Sequence, residues 1–426
     1  MAEETPTCVD FETESIESRP AYPPVPIGAS IQEWQKPGEY LAWGHKTGNN
    51  CTKAQAAKRL KAAVNKGSTL YHHAKFDTDV MEVHFGIKIP SWDQIHDTTF
   101  LLFLHDPNRK NIGLKPAAEE ILGWPADEKE IMADWLCTNQ PVPEVKVSRA
   151  PKNEHYYMRY LAWCPGDIVG NYAIGDTART MALFEKLHPS IIARGMSDAY
   201  DRERRLMPVL LGMERRGVRV DLPKLRTDVA DYSLIQEKID AWLRKKLKVN
   251  AFFNLDGDEF VEALISNGLA DASRMGLTKK GKKVSTTKEA IANGVTDKQL
   301  AAIIQYRAQM HTCLATFLTP WLAMAEASGG LIYSTWNQVR GEGRGARTGR
   351  LSSSPNFQNI PKSFKPLFKH EKAGLPPSPI KNLGPLPMCR SYIIPYYADH
   401  VLIDRDWSQN EIRILAHFGD GELQER

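Results

Sequence analysis

The chain has 426 residues, 42% of them hydrophobic and 25% charged, an ordinary soluble composition that fits two or three domains each with its own core. There is no run of about 18 apolar residues and no apolar segment at the N-terminus, so neither a membrane span nor a signal peptide is expected. The formal net charge of +4 hides an asymmetry: residues 1–200 hold 21 Lys and Arg against 26 Asp and Glu, residues 201–400 hold 31 against 19, and residues 401–426 hold 3 against 6.

A basic middle between acidic ends fits a polyanion-binding surface beside carboxylate-rich sites, and equally a solvated Lys/Arg-rich helical face. The six cysteines (Cys8, Cys51, Cys137, Cys164, Cys313 and Cys389) lie far apart without a C-x-x-C pair. That argues against a structural zinc site or a disulfide framework, and for a reducing compartment.

Residues 1–190 alternate β-like runs ("TCVDFET", "STLYHH", "TTFLLFL") with helical patterns ("TKAQAAKRLKAAV", "DTARTMALFEKL"), the mark of an α/β layer domain. Residues 195–330 read as mainly helical, with Ile235, Ile239, Trp242 and Leu243 on one stripe and Pro320 expected to end or kink the last helix. Residues 331–426 form a third segment. Within it "GEGRGARTGR" is rich in Gly and Arg, and residues 361–387 hold seven prolines, a surface excursion. The apolar run "VLIDRD" then reads as a strand ending in Asp404 and Asp406.

Three acidic motifs fall inside the first segment. "CVDFETES" sets Asp10 and Glu12 two apart on a strand, so both leave one face. Two such carboxylates repel unless a cation lies between them, which makes the pair a plausible Mg²⁺ ligand set, although D-x-E on a solvent-facing strand is common. "LYHHAKFDTDVM" reads as a strand ending at Asp77, and "NYAIGDTART" sets Tyr172 and Asp176 four apart on one helical face.

In this order the motifs resemble the DEDD superfamily of 3′–5′ proofreading exonucleases, in its tyrosine subtype. "IHDTTFLLFLHDPN" and "GLKPAAEEILGW" add to the likeness. The resemblance implies an RNase H-like α/β domain in which Asp10, Glu12, Asp77 and Asp176 hold two divalent ions, Mg²⁺ or Mn²⁺, and Tyr172 orients the attacking water. Oxygen ligands suit those ions, and a metal pair about 4 Å apart both activates water and stabilises the leaving oxygen. His73 stands where the family usually has Asn.

Further on, "TKKGKKVSTTKEAI" is a lysine-rich, turn-rich stretch, while Arg340, Arg344, Arg347 and Arg350 alternate with glycines that let backbone approach a polyanion. "GEGRGA" fits the dinucleotide fingerprint in form, but lacks a preceding strand and a following helix. "RTGRLSSSPNFQNIP" followed by "DWSQNEIRILAHF" closely resembles two hallmark segments of family A, the DNA polymerase I-like DNA polymerases.

That resemblance implies a helical thumb over 195–330 and an incomplete α+β palm over 331–426. Asp406 would be a palm metal ligand, Glu411 the steric gate beside Ser408 and Gln409, and Arg413 a structuring residue. Arg340, Arg347, Arg350, Asn356, Gln358, Asn359, Lys279, Lys280 and Lys282 would face DNA, as primer–template duplex in this half and as a single-stranded 3′ end at the exonuclease. Trp407 and Asn410 depart from the family pattern, and "SSSPN" is one residue short of the commonest spacing.

No fingers helix and no "HDE" strand follow Arg413, so the chain alone is expected not to polymerise. Three readings stay open. The chain could be the N-terminal part of a family A polymerase, completed by a second polypeptide with fingers and remaining palm or else truncated. It could be an autonomous exonuclease with a DNA-holding remnant, or a non-enzymatic DNA-binding remnant. A phage-type protein acting in bacterial cytoplasm, away from membranes, fits the thiol usage and the lack of a targeting segment.

Overall fold

The computed structural model describes residues 5–88, 91–125, 127–278, 283–285, 287–339, 348–361, 383 and 385–418. It divides into two compact units, the first from residues 1–217 and 327–360, the second from 218–326 and 361–426.

In the first unit, strands β1 (Thr7–Thr13), β2 (Pro26–Gln32), β3 (Glu39–Ala42), β4 (Thr69–Tyr71) and β5 (Ile95–Asp97) form one sheet in the order β3-β2-β1-β4-β5. The first three pair antiparallel, and β1-β4-β5 pair parallel. Helices connect and cover the sheet: α1 (Lys53–Val64), α2 (Ala74–Phe85), α3 (Thr98–His105), α4 (Leu114–Leu122), α5 (Glu128–Asn139), α6 (Gly166–Ala193) and α7 (Ser197–Arg216). Because the sheet is covered, β1 is buried along nearly its whole length rather than alternately.

Helix α1 starts where the sequence suggests, at a capping box in which Thr52 and Gln55 satisfy each other's backbone amides. Helix α6 is tied to the sheet beside its functional residues, since the Thr177 hydroxyl lies 2.9 Å from that of Ser30 on β2. The Tyr40 ring lies between β2 and α6 at two glycines: a Cβ would come within 1.9 Å of its hydroxyl at Gly28 and 3.0 Å of its ring at Gly170.

Two expectations for this unit need correction. "TTFLLFL" is not a strand but helix α3, preceded by a three-residue strand. Every residue from Thr98 to Leu104 is buried, and a fully buried apolar run has no polar face from which to read a period. Asp77 likewise lies in the first turn of α2, because β4 ends at Tyr71 and the chain turns at His73.

The second unit is mainly helical. It contains α8 (Leu222–Leu247), α9 (Asp258–Ser266), α10 (Lys288–Gly294), α11 (Lys298–Thr312) and α12 (Thr319–Ala327). Ile239 and Leu243 of the expected stripe are buried, together with Leu225 and Leu247. Between α11 and α12 the chain runs through a π-helical segment, Cys313–Leu318, just before Pro320. A proline lacks the amide that would close the next turn, and widening the helix accommodates it.

Cys313 and Cys389, remote in sequence, are both buried, with sulfurs 3.2 Å apart as free thiols. The strand expected to end at Asp406 is absent: residues 401–407 have no regular structure, and Val401 and Ile403 are 77% and 87% exposed. Among the described residues no strand pairs with this run, and an unpaired strand leaves its backbone groups to water. Helix α13 (Asn410–Phe418) follows it. No helix among the described residues is long and apolar enough to cross a membrane.

Candidate active site

Strand β1 carries Asp10 and Glu12 on the face that meets α6, and α6 brings Asp176. The three carboxylates lie within 4.8 Å of one another, Asp10 partly exposed and the other two buried. Asp77 approaches from α2. Its Oδ1 accepts a 3.0 Å hydrogen bond from the amide of Phe11, between Asp10 and Glu12. That amide is available because β4 pairs with β1 only at Thr7 and Cys8, so α2 occupies the place a longer strand would have filled. Tyr172, one helical turn before Asp176, is buried on α6.

The electrostatics follow from gathering four acids, three of them buried. Burial, then the neighbouring Asp176, pushes the Asp10 carboxyl up to about 7, against the opposing pull of the Lys115 ammonium. Glu12 is raised well above the carboxylate range by burial and by Asp10 and Asp176, and Asp77 by burial and Asp10. Burial and Asp176 likewise keep the Tyr172 phenol protonated. A site that holds protons on its carboxylates near neutral pH is one short of positive charge. The donor set is all oxygen, so it fits a hard divalent cation.

Three further residues shape the site and were not singled out from sequence. Lys115 on α4 donates to both oxygens of Asp176, at 2.7 and 2.6 Å, and lies 3.9 Å from the centre of the Tyr172 ring. Arg179 lies 3.6 Å from Asp176 and pairs with Glu128 at 2.8 Å. Asp97 at the end of β5 accepts from the amides of Ala74 and Thr99, each at 2.8 Å, and of His73 at 3.2 Å. It thus holds the starts of both α2 and α3. Lys115 and Asp97 fall in "GLKPAAEEILGW" and "IHDTTFLLFLHDPN", segments that added to the family likeness without giving either residue a role.

His73 has φ 82° and ψ 51° and forms no side-chain cap. Asn and His are both enriched in this left-handed region, so backbone conformation accounts for His where Asn is usual.

The other expected residues are spread out. Lys279, Lys280, Lys282, Arg340 and Arg347 lie outside the described residues, as does Arg344. Arg350, Asn356, Gln358 and Asn359 are exposed. The Asn356 side-chain oxygen accepts from the amides of Gln358 and Asn359, at 2.9 and 3.2 Å, so it builds the turn that carries them. In the second unit Asp406, Ser408, Gln409 and Glu411 are exposed at the entry to α13, where Arg413 donates to the Ser408 carbonyl at 3.0 Å.

Residues 1–192 match the family model for 3′–5′ exonucleases, and residues 232–426 match that for DNA polymerase family A. The chain is similar to the DNA polymerase DpoZ of Vibrio phage phiVC8, at 27% identity over 83% of this chain and 53% of the relative. It is also similar to DNA polymerase I of Rhizobium leguminosarum, at 26% identity over 89% of this chain and 33% of the relative. Among solved structures it resembles the POL domain of Pol1 from M. smegmatis, in complex with DNA primer-template and dNTP. The TM-score there is 0.59 at 16% identity, covering 84% of this chain and 52% of that one, a likeness of fold.

The chain thus spans about half or less of the length of these relatives, and none of these matches bears on a second polypeptide. Residues 1–192 are similar to 3′–5′ exonucleases and residues 232–426 to DNA polymerase family A, each match spanning a little under half of the chain.

Proposed function

We propose that this chain removes nucleotides from DNA 3′ ends by metal-assisted phosphodiester hydrolysis at Asp10, Glu12, Asp77 and Asp176, as the proofreading half of a DNA polymerase. The observation that carries the reading is the convergence of β1, α2 and α6 on one acidic cluster with Tyr172 beside it. Two Mg²⁺ or Mn²⁺ ions held there would supply Lewis acidity and charge neutralisation at the phosphoryl group. The protein's own part is positional. Tyr172, protonated and anchored by α6, is placed to orient water through its hydroxyl, and Asp77 holds its orientation through the Phe11 amide.

In the same proposal the mainly helical residues 195–330 act as a thumb and residues 331–426, which include Asp406, as part of a palm. Arg350, Gln358 and Asn359, with the basic residues 279–282 and 340–347, hold primer–template DNA. Polymerisation with Asp406, Ser408, Gln409 and Glu411 at its site, and a bacterial cytoplasmic setting for a phage protein, belong to this proposal through the relatives.

A 3′-labelled single-stranded oligonucleotide with Mg²⁺ provides the test. Degradation is expected for the wild type and a loss of at least 10³-fold for Asp10→Ala, since charge stabilisation at the reacting phosphate supplies most of such catalysis. Intact substrate at high wild-type concentration would leave only a DNA-binding role. Nucleotide incorporation on a primed template tests the polymerase part separately.

A further inference from the structure

One cation is built into the candidate site. Lys115 engages both carboxylate oxygens of Asp176, at 2.7 and 2.6 Å, and its Nζ stands 3.9 Å above the Tyr172 ring. Its side chain is only 18% exposed, so this is no solvated surface pair. Helix α4 holds the lysine there through Ala117 and Ala118, both fully buried. The other nearby cation, Arg179, is farther from Asp176 and is committed to Glu128 and the Pro125 carbonyl.

The chemistry of this contact is specific. A metal ion that uses Asp176 competes with Lys115, which already engages each of its oxygens, and it meets an ammonium group at close range. The same lysine contacts both Asp176 and Tyr172, neighbours one turn apart on α6, one by hydrogen bonds and the other by cation–π contact.

We propose that Lys115 is a positioning residue and internal counter-cation of the hydrolytic site: it holds Asp176 and Tyr172 in place before metal enters, and metal must displace it from Asp176. This rests on the hydrolytic reading above. Lysine suits the role because its single ammonium on a flexible stem withdraws without rearranging the helix that carries it.

The test is Mn²⁺ titration calorimetry on the full chain, wild type against Lys115→Met, Lys115→Arg and Asp10→Ala, with thermal melts to establish folding. Removing the competing charge is expected to tighten Mn²⁺ binding in Lys115→Met by roughly tenfold, as expected for loss of a like charge a few ångströms away. At saturating Mn²⁺ the same variant is expected to lose kcat on a labelled single strand, with KM changed less. Lys115→Arg keeps the charge and should stay near wild type in both measurements.

Equal Mn²⁺ affinity in wild type and Lys115→Met overturns the proposal, as does an Arg variant that behaves like the Met variant. If the wild type neither binds Mn²⁺ nor degrades DNA, and Asp10→Ala is indistinguishable from it, the hydrolytic reading itself falls. A wild type that degrades DNA while Lys115→Met binds Mn²⁺ unchanged removes only the role of Lys115.

Discussion

At the scale of single residues, the candidate site is a set of carboxylates that the fold forces together at an electrostatic cost. Asp10 illustrates the consequence for pH. Its ordinary value is 3.8, and in the folded protein it is raised to about 7 by burial and by Asp176. Between those values the unfolded chain has released the proton that the native state still holds, so metal-free stability falls as pH rises from about 4 to 7. Bound divalent cation reverses the balance, because it favours the ionised acids and binds only the native state. Thermal melts are therefore expected to show a lower Tm at pH 8 than at pH 5 without metal. Mn²⁺ should restore several degrees at pH 8 and little at pH 5. In metal-free protein Asp10→Asn should raise the Tm at pH 8 and flatten the pH dependence, and a wild-type Tm equal at both pH values would contradict this account. Asp10, Glu12, Tyr172 and Asp176 were legible in the sequence because periods of two and of about four state directly which side chains share a face. Lys115 was not, since nothing in its local pattern says that α4 packs against α6.

Among the elements, the starts of α2 and α3 depend on one buried carboxylate that neither helix supplies to the other by sequence proximity. Asp97 caps α3 from the adjoining position and reaches the amides of His73 and Ala74, 24 and 23 residues earlier, because parallel pairing sets β4 and β5 side by side. A left-handed His73 cannot cap its own helix here, and Asp97 takes that role. Asp97→Ala leaves the buried amides of Ala74 and Thr99 and the part-buried amide of His73 without this acceptor, and is expected to cost about 2–4 kcal/mol by urea denaturation. A loss under about 0.5 kcal/mol would show that water replaces the carboxylate. The same geometry explains which elements were misread. Strand β5 has three residues and α3 follows it immediately, so the polar residues His96 to Thr99 lead into the helix, with Asp97 as its cap, rather than mark a turn, and the buried apolar run Phe100–Leu104 behind them shows no period. Asp77 was assigned to a strand end for a related reason: the turn at His73 is made by a residue with no strong turn signature, and its support comes from Asp97. The long helices α6, α8 and α11 were legible because each spans several turns with a clear apolar stripe or a terminal Asp or Pro.

For the whole molecule, charge is distributed unevenly along the chain. The acidic first 200 residues contain the site where carboxylates gather, whereas residues 201–400 carry a net +12, from 31 basic against 19 acidic side chains. A protein that neutralises DNA phosphates releases counterions, so its affinity falls with salt at a slope close to the number of phosphates contacted. If the arginines at 340, 347 and 350 contact phosphate, replacing each by Ala should lower that slope by about 1. The measurement is fluorescence anisotropy of a labelled primer–template duplex between roughly 50 and 200 mM salt. It is best made in an Asp10→Ala background, so that the DNA survives the titration. Gln358 and Asn359, exposed on the turn built by Asn356, are uncharged and can reach sugar or base edges, but release no counterion. Their Ala variants should weaken binding at every salt concentration while leaving the slope unchanged. Arginine variants that leave the slope at its wild-type value would place the duplex on a different surface, and would return the basic middle of the chain to the alternative of a solvated face.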